Sequence, residues 1–567
     1  MGYTGADLLV DSLESYGVTH LFGNPGTTEL PLMQSVVDSE LEYVLGLHED
    51  VAVGAAAGYA MRRRHHANAA TDETRSAAQT DVLPLGVANL HLAGGLAHGL
   101  GNLYNAKISG APVLLTAGTH SRDFQQEEPI LSGDLVSMAE PFTKWSAEVK
   151  DVAALPRMVR RAVRTALTPP TGPVFLSLPV DVQQAETEQS PERLGQIPTA
   201  GRGDADAIGE AATALTNAEE PVIVLGDEVG RRGSEAVAAA VELAEAAGAR
   251  VHNEILAYEV NFPTGHEQWQ GVLSTKAPAT AAAMDADTLV FVGCSTNTTV
   301  TRPTRRLVPD DANCVHIAAD AWELGKHAPA DTAVLGDPAA VLPELAERVA
   351  AAVDEGERER RLEGVRAWAE SEASGSATPE TVDGTLTKAG LARAFRRVAP
   401  DALVVSEAIT ASPPLLDEFP FEANQLLGTK GGGLGYGLPA SVGAAVAERE
   451  AGGDRSVLGY VGDGSYLYYP QTLYTATRYD LDLTVVIPDN QNYRILKENT
   501  AALMGGDPDE FDYAGIEFEP PVDLVGSAEA HGATGITLES PSEIDETIGE
   551  ALEYEGAVVV DVPVVDR

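Results

Sequence analysis

The 567-residue sequence predicts an α/β protein made of three doubly wound parallel-sheet domains. Helix-spaced stretches alternate with short apolar strands in three blocks, 1–185, 205–353 and 387–567, the pattern of parallel strands joined by crossover helices. In the first and last blocks, strands run directly into turns rich in Gly, Asp, Asn and His. Such turns fall at the carboxyl edge of an open sheet, where α/β folds bind ligands.

Composition narrows the function. Hydrophobic residues make up 44% of the chain, and no apolar run is long enough to span a bilayer, so no membrane partner is expected. The opening MGYTGADLLVDSLESYG is acidic early and has no basic n-region, which predicts no signal peptide and a cytoplasmic protein. Cys294 and Cys314 offer neither a disulfide framework nor a zinc pair and read as small core residues. The 38 basic and 85 acidic side chains leave a net charge of −47, the wrong sign for a nucleic-acid partner. Acidic residues spread along the whole chain resemble the pattern of halophilic proteins, whose self-repulsion is screened by salt.

In the first block, the helix ADLLVDSLESYG ends at Gly17 and the strand VTHLFG follows. The turn from Asn24 to Glu29 opens a second helix. The strand EYVLGL then leads through His48 to Glu49 and to the small-residue helix VAVGAAAGYAM. Residues 62–81, polar and small, break the rhythm and are expected to form a surface insertion. Strand LPLGVANLH delivers His91 into a Gly-rich turn and helix, followed by strands APVLLTAG and TGPVFLSLPVDV. An acidic linker comes next, from Gln183 to about Asp204.

The central block holds the strands PVIVLGDEVG, TLVFVGC and CVHIAAD and an Ala/Glu-rich helix. Residues 354–386 read as a charged, then small and polar, connection. The last block opens with helix TKAGLARAFRRVA and strand DALVVSE, then GTKGGGLGYGLPASVGAAVAERE, and closes on GAVVVDVPV.

Within that block, strand end, Gly462-Asp463-Gly464 turn, helix, strand LTVVI and turn Asp489-Asn490-Gln491-Asn492 bring Asp463 and Asn490 to one sheet edge. The Asp463 carboxylate, the Asn490 side-chain oxygen and the Asn492 main-chain carbonyl are hard ligands suited to Mg²⁺ or Ca²⁺. The flanking glycines permit the sharp turn and the close approach of a phosphate.

This stretch resembles the thiamin diphosphate enzymes, whose hallmark is GDG followed further along by an asparagine pair. The first asparagine of that pair is Asp489 here. The second, the family's metal ligand, is kept as Asn490. The three-block order resembles the branch holding benzoylformate decarboxylase and acetohydroxyacid synthase, and is nearer the former.

The resemblance implies thiamin diphosphate and Mg²⁺ as cofactors. LHEDVAVGAAAGYA is similar to the stretch around the family's catalytic glutamate, which makes Glu49 the group that activates the aminopyrimidine ring; a first-turn helix acid is the alternative. GGGLGYGLP resembles the turn on the other side of that ring, with a main-chain oxygen near Gly432 for the exocyclic amine and Leu434 as the apolar wedge. Diphosphate contacts fall to Gly464, Ser465, Thr410 and Ser412, although Ser412 also reads as a plain helix start.

NPGTTE resembles the branch's substrate turn, which puts Thr27 at the substrate carboxylate, and NLHLAGG makes His91 the active-site histidine. His48, His65, His66 and His98 receive no role. A second family histidine is missing from STNTTVTRPTRR.

The implied reaction is non-oxidative decarboxylation of a small-molecule 2-oxo acid to an aldehyde. Alternatives are a carboligase, whose branch carries FAD in the central domain, and a silent cofactor-binding relative. In the family the cofactor lies between chains, so a homodimer or homotetramer is expected.

Overall fold

The computed structural model describes residues 2–69, 83–295, 298–299, 302–303, 306–372 and 378–566. Three six-stranded sheets, parallel throughout, follow one another along the chain. The first is ordered Glu42–Leu45, His20–Gly23, Gly86–His91, Val113–Thr119, Val174–Pro179, Ser146–Glu148. The last repeats that succession with Leu426–Gly428, Leu403–Glu407, Val457–Val461, Leu483–Asp489, Ala557–Pro563 and Thr534–Thr537. Both sheets therefore reverse direction between their first and third strands. In the first sheet that switch point lies between the turns after Gly23 and His91, and in the last between those after Glu407 and Val461. The GDG turn and the His91 turn each occupy the ligand crevice of their own sheet.

The central sheet is wound differently: Trp269–Val272, Arg250–Asn253, Pro221–Leu225, Thr288–Val292, Asn313–Ala318, Thr332–Leu335. This is the order of dinucleotide-binding sheets, with its crevice between the turns after Leu225 and Val292.

The first and last domains meet through two long helices, Glu49–Ala69 and Gly437–Ala451. Their backbones come so close that a Cβ on Gly58 would lie 2.1 Å from the Ala440 carbonyl oxygen, and one on Gly443 1.9 Å from that of Ala55. The small-residue composition of both segments is thus a packing requirement.

The expected insertion over 62–81 is corrected in its first part. The helix continues to Ala69, and Arg62, Arg63, Arg64 and His65 are buried. Arg62 pairs with Glu448, Arg63 with Glu450 and Arg64 with Glu259, while His65 Nε2 lies 3.1 Å from Glu259 Oε2. These charges tolerate burial because acids of the last and central domains meet them. The rest of that segment, residues 70–82, lies outside the described residues.

The connection at 354–386 is also more structured than its composition predicts. It contains the helix Glu355–Glu372, anchored by buried Arg361, which donates to the Leu215 and Ala247 carbonyls, and the small hairpin Thr381–Val382 with Thr385–Leu386. No helix among the described residues is long and apolar enough to cross a membrane.

Candidate active site

One cavity sits at the switch point of the last sheet. Lys388, Glu407, Thr410, Leu434, Asp463, Gly464, Ser465, Asn490 and Asn492 are among its lining residues, all of them from the last domain. Asp463 is buried at the start of a one-turn helix, where its Oδ1 accepts from Gly464 N at 2.8 Å and its Oδ2 from Asn492 N at 3.2 Å. Burial, reinforced by the neighbouring Asp489 carboxylate, pushes Asp463 up to about 7. An acid held in that state gains most from a cation beside it. The side-chain Oδ1 of Asn492 is buried without a hydrogen-bond partner. An orphaned oxygen, a desolvated carboxylate and the Asn490 amide form a hard-oxygen donor set, which fits a small divalent cation.

Asp489, in the place of the family's first asparagine, closes the turn. Its Oδ1 accepts from Gln491 N at 3.0 Å and its Oδ2 from Gln491 Nε2 at 2.6 Å, holding Gln491 at φ +53°.

Thr410 lines the cavity and accepts at Oγ1 from Lys388 Nζ at 3.0 Å. Ser412 does not join it there. Its hydroxyl is 2.8 Å from Ser406 Oγ and 3.0 Å from the Ala408 carbonyl, which leaves it packed at the start of the helix Ser412–Glu418. The sequence reading missed Lys388 and Glu407. Lys388 brings an amine to a cavity otherwise lined by neutral and acidic groups, apart from Arg494. Burial lowers the pKa of that amine. Glu407, pushed up to about 7 by burial, accepts from Gly437 N at 2.7 Å and fixes the start of the interdomain helix.

Leu434 lies in the cavity wall, while the glycines on either side of it are held by the first domain of the same chain. Asn105 Nδ2 donates to the Gly433 carbonyl at 2.8 Å, and Asn102 Nδ2 to that of Gly435 at 3.3 Å. Gly432 stands at φ +73°, and a Cβ there would meet nothing within 4 Å, so its surroundings are open.

Glu49, His91 and Thr27 gather at the switch point of the first sheet and line no part of that cavity. Glu49 opens its helix, and His91 ends the third strand. Between them lies Gly95, where a Cβ would stand 3.0 Å from Glu49 Oε1 and 3.5 Å from His91 Cβ. Thr27 is exposed in the turn whose Gly26 packs against the His91 ring.

Under the histidine lies Glu29, fully buried and overlooked in the sequence. Its Oε2 is 2.7 Å from His91 Nδ1, and it also accepts from Gly118 N at 2.8 Å, Gly26 N at 3.0 Å and Thr28 Oγ1 at 2.8 Å. With Nδ1 engaged, Nε2 is the nitrogen His91 has to offer. The residue after it, Leu92, stands at φ +50°, a conformation costly for leucine and common where a site fixes the backbone. His98 also has a neighbour the sequence did not reveal: its Nδ1 is 3.2 Å from Glu49 Oε2.

In the central domain, the crevice of the dinucleotide-type sheet holds a side chain of the last domain. Lys430 is buried between Asp227 Oδ2, at 3.1 Å, and Glu254, and its Nζ is 3.0 Å from Ser295 Oγ. Asp227, Glu254 and Ser295 follow three strands of the sheet.

The fold, three parallel-sheet α/β domains in succession, is that of the thiamin diphosphate enzymes. Sequence profiles of the thiamine pyrophosphate enzyme family match the N-terminal TPP binding domain at residues 3–139, the central domain at 208–345 and the C-terminal TPP binding domain at 420–562. The chain belongs to this family. It is 29% identical to a benzoylformate decarboxylase of Pseudomonas aeruginosa over 97% of each chain, and 25% identical to an acetolactate synthase of Arthrospira platensis over 99% of this chain and 94% of that one. Among solved structures it is similar to a thiamine diphosphate-dependent 4-hydroxybenzoylformate decarboxylase of Rhodococcus jostii, with a TM-score of 0.83, 28% identity and 99% of both chains covered.

Proposed function

We propose that the protein is a thiamin diphosphate- and Mg²⁺-dependent decarboxylase that converts a 2-oxo acid to an aldehyde. The observation that carries this reading is the Glu29–His91 pair beside Glu49: a histidine oriented by a buried carboxylate, next to the acid that would face the cofactor's aminopyrimidine. Bound thiamin diphosphate would supply the electron sink for the pair left behind when CO₂ departs.

The chain's residues divide the remaining work. Asp463, the side chain of Asn490 and the carbonyl of Asn492 hold the cation. Gly464, Ser465, Thr410 and Lys388 receive the diphosphate. Leu434 and the Gly432 carbonyl shape the other end of the site, and Ser412, turned into its helix start, supports the Thr410 turn. Glu49 holds a proton at the aminopyrimidine, the Thr27 hydroxyl meets the substrate carboxylate, and His91 Nε2 moves the proton that the product requires.

Because the cavity with Asp463 draws on the last domain alone, the reading pairs it with Glu49, His91 and Thr27 of a second copy, in a homodimer or homotetramer. Lys430 in the central crevice argues against the FAD-carrying carboligase alternative. Purified protein with thiamin diphosphate and Mg²⁺, assayed on aromatic and branched 2-oxo acids, should release CO₂ and aldehyde in equal amounts. Carbon–carbon ligation products with tightly bound flavin would overturn the proposal.

A further inference from the structure

The last strand of the protein ends beside the metal turn, and the short tail beyond it is tied down. Val564 N donates to the Asp489 carbonyl at 2.9 Å and Val565 N to that of Leu386 at 2.9 Å, which carries Asp566 onto the turn. The Oδ1 of Asp566 accepts from Asn490 Nδ2 at 2.9 Å and from Asn492 Nδ2 at 3.0 Å. Its Oδ2 lies 3.0 Å from Lys497 Nζ and 3.3 Å from Arg494 Nη1. Both cations are buried, in a chain with only 38 basic residues, and Asp566 shares them with Glu517, 2.7 Å from Lys497, and Asp509, 2.9 Å from Arg494.

An asparagine amide offers a donor at one end and an acceptor at the other, and only the acceptor end can serve a cation. A carboxylate that takes both Nδ2 groups turns both Oδ1 atoms the other way. Asn490 lines the cavity, and Asn492 Oδ1 is the buried oxygen left without a hydrogen-bond partner.

We propose that Asp566 is a positioning residue for the metal site: the C-terminal tail clamps the Asn490 amide so that its oxygen end faces the cation, and ties down the side chain of Asn492, whose main-chain carbonyl is the third ligand. The proposal rests on the reading of Asp463, Asn490 and Asn492 as the cation site. Outer partners that orient metal ligands typically change affinity by about 10–100-fold when removed.

The test uses Mn²⁺, an oxygen-preferring cation visible by electron paramagnetic resonance, titrated into full-length protein saturated with thiamin diphosphate. Asp566→Ala should weaken Mn²⁺ binding at least about tenfold, and Asp566→Asn, which keeps one acceptor oxygen, by less. The metal-free melting temperatures of both variants should stay close to wild type, since the backbone bonds of Val564 and Val565 remain. Equal Mn²⁺ affinity in wild type and both variants would overturn the clamp while leaving the cation site standing. A fall in melting temperature with unchanged Mn²⁺ affinity would also overturn it, by assigning Asp566 a structural role. Wild-type protein that binds no Mn²⁺ would instead overturn the cation site and the clamp together.

Discussion

Glu29 Oε2 lies 2.7 Å from His91 Nδ1, and the carboxylate is buried completely while the imidazole keeps one partly open face. The acid therefore acts on the histidine and not on a ligand. Removing it should separate orientation from binding. Glu29→Gln retains an acceptor for one of the two amides, Gly118 or Gly26, which donate to different oxygens, and should fold, yet lower kcat by about 10² with little change in the affinity for thiamin diphosphate. His91→Ala should cost a similar factor. Glu29→Ala strands both the Gly118 and the Gly26 amides and should also destabilise the protein, by about 1–3 kcal/mol for each one left unpaired. Steady-state kinetics and denaturant melts of the three variants check this.

The acid at the metal turn makes cation binding dependent on pH. Asp463, pushed up to about 7 by burial and by Asp489, must be ionised to serve as a ligand. Mg²⁺ affinity should therefore fall as pH drops below about 7. In metal-free protein the sign is opposite. A carboxyl whose folded-state pKa exceeds its unfolded value contributes full stability below about 4, and loses that contribution as pH rises through about 7. Metal-free protein should thus melt lower at pH 8 than at pH 5 by more than the Mg²⁺-loaded form does. Asp489→Asn should shrink that difference and improve Mg²⁺ binding at pH 6, as calorimetry at two pH values would show.

Much of this arrangement could be read in the sequence. The strand ends at Gly23, His91, Glu407 and Val461 are apolar runs meeting Gly- or polar-rich turns, and both half-sites follow from them. What escaped is the part set by distant partners. Arg62 to His65 look like solvent-facing polar residues because Glu448, Glu450 and Glu259, which make them buriable, lie hundreds of positions away. Glu29 had a local cue in its spacing from Gly26, whose amide it accepts, but nothing nearby linked it to His91. Asp566 carried no cue at all: a penultimate aspartate acquires meaning only when the last strand ends beside Asn490. Ser412, adjacent to two prolines, could be read either way, and its hydroxyl satisfies the core side.

Lys430 offers a test of the central domain. Lys430→Met takes from buried Asp227 and Glu254 the cation they share, leaving Asp227 only Arg231 at 3.9 Å, and breaking a buried pair in this way typically costs about 3–5 kcal/mol. Urea denaturation should show a loss of that order, larger than for an exposed lysine such as Lys150→Met. The variant should gain no affinity for FAD, because the two carboxylates that remain would repel its phosphates.

The central claim is that one working site needs Glu49 from one chain and Asp463 from another. Glu49→Gln and Asp463→Ala should each be inactive alone. Unfolded together in equal amounts and refolded, they should recover about a quarter of wild-type thiamin diphosphate-dependent CO₂ release, since half the dimers are mixed and each mixed dimer holds one intact site. Mixtures that stay as inactive as either parent, while wild-type protein treated in the same way regains activity, would contradict the account and return both halves of the site to a single chain.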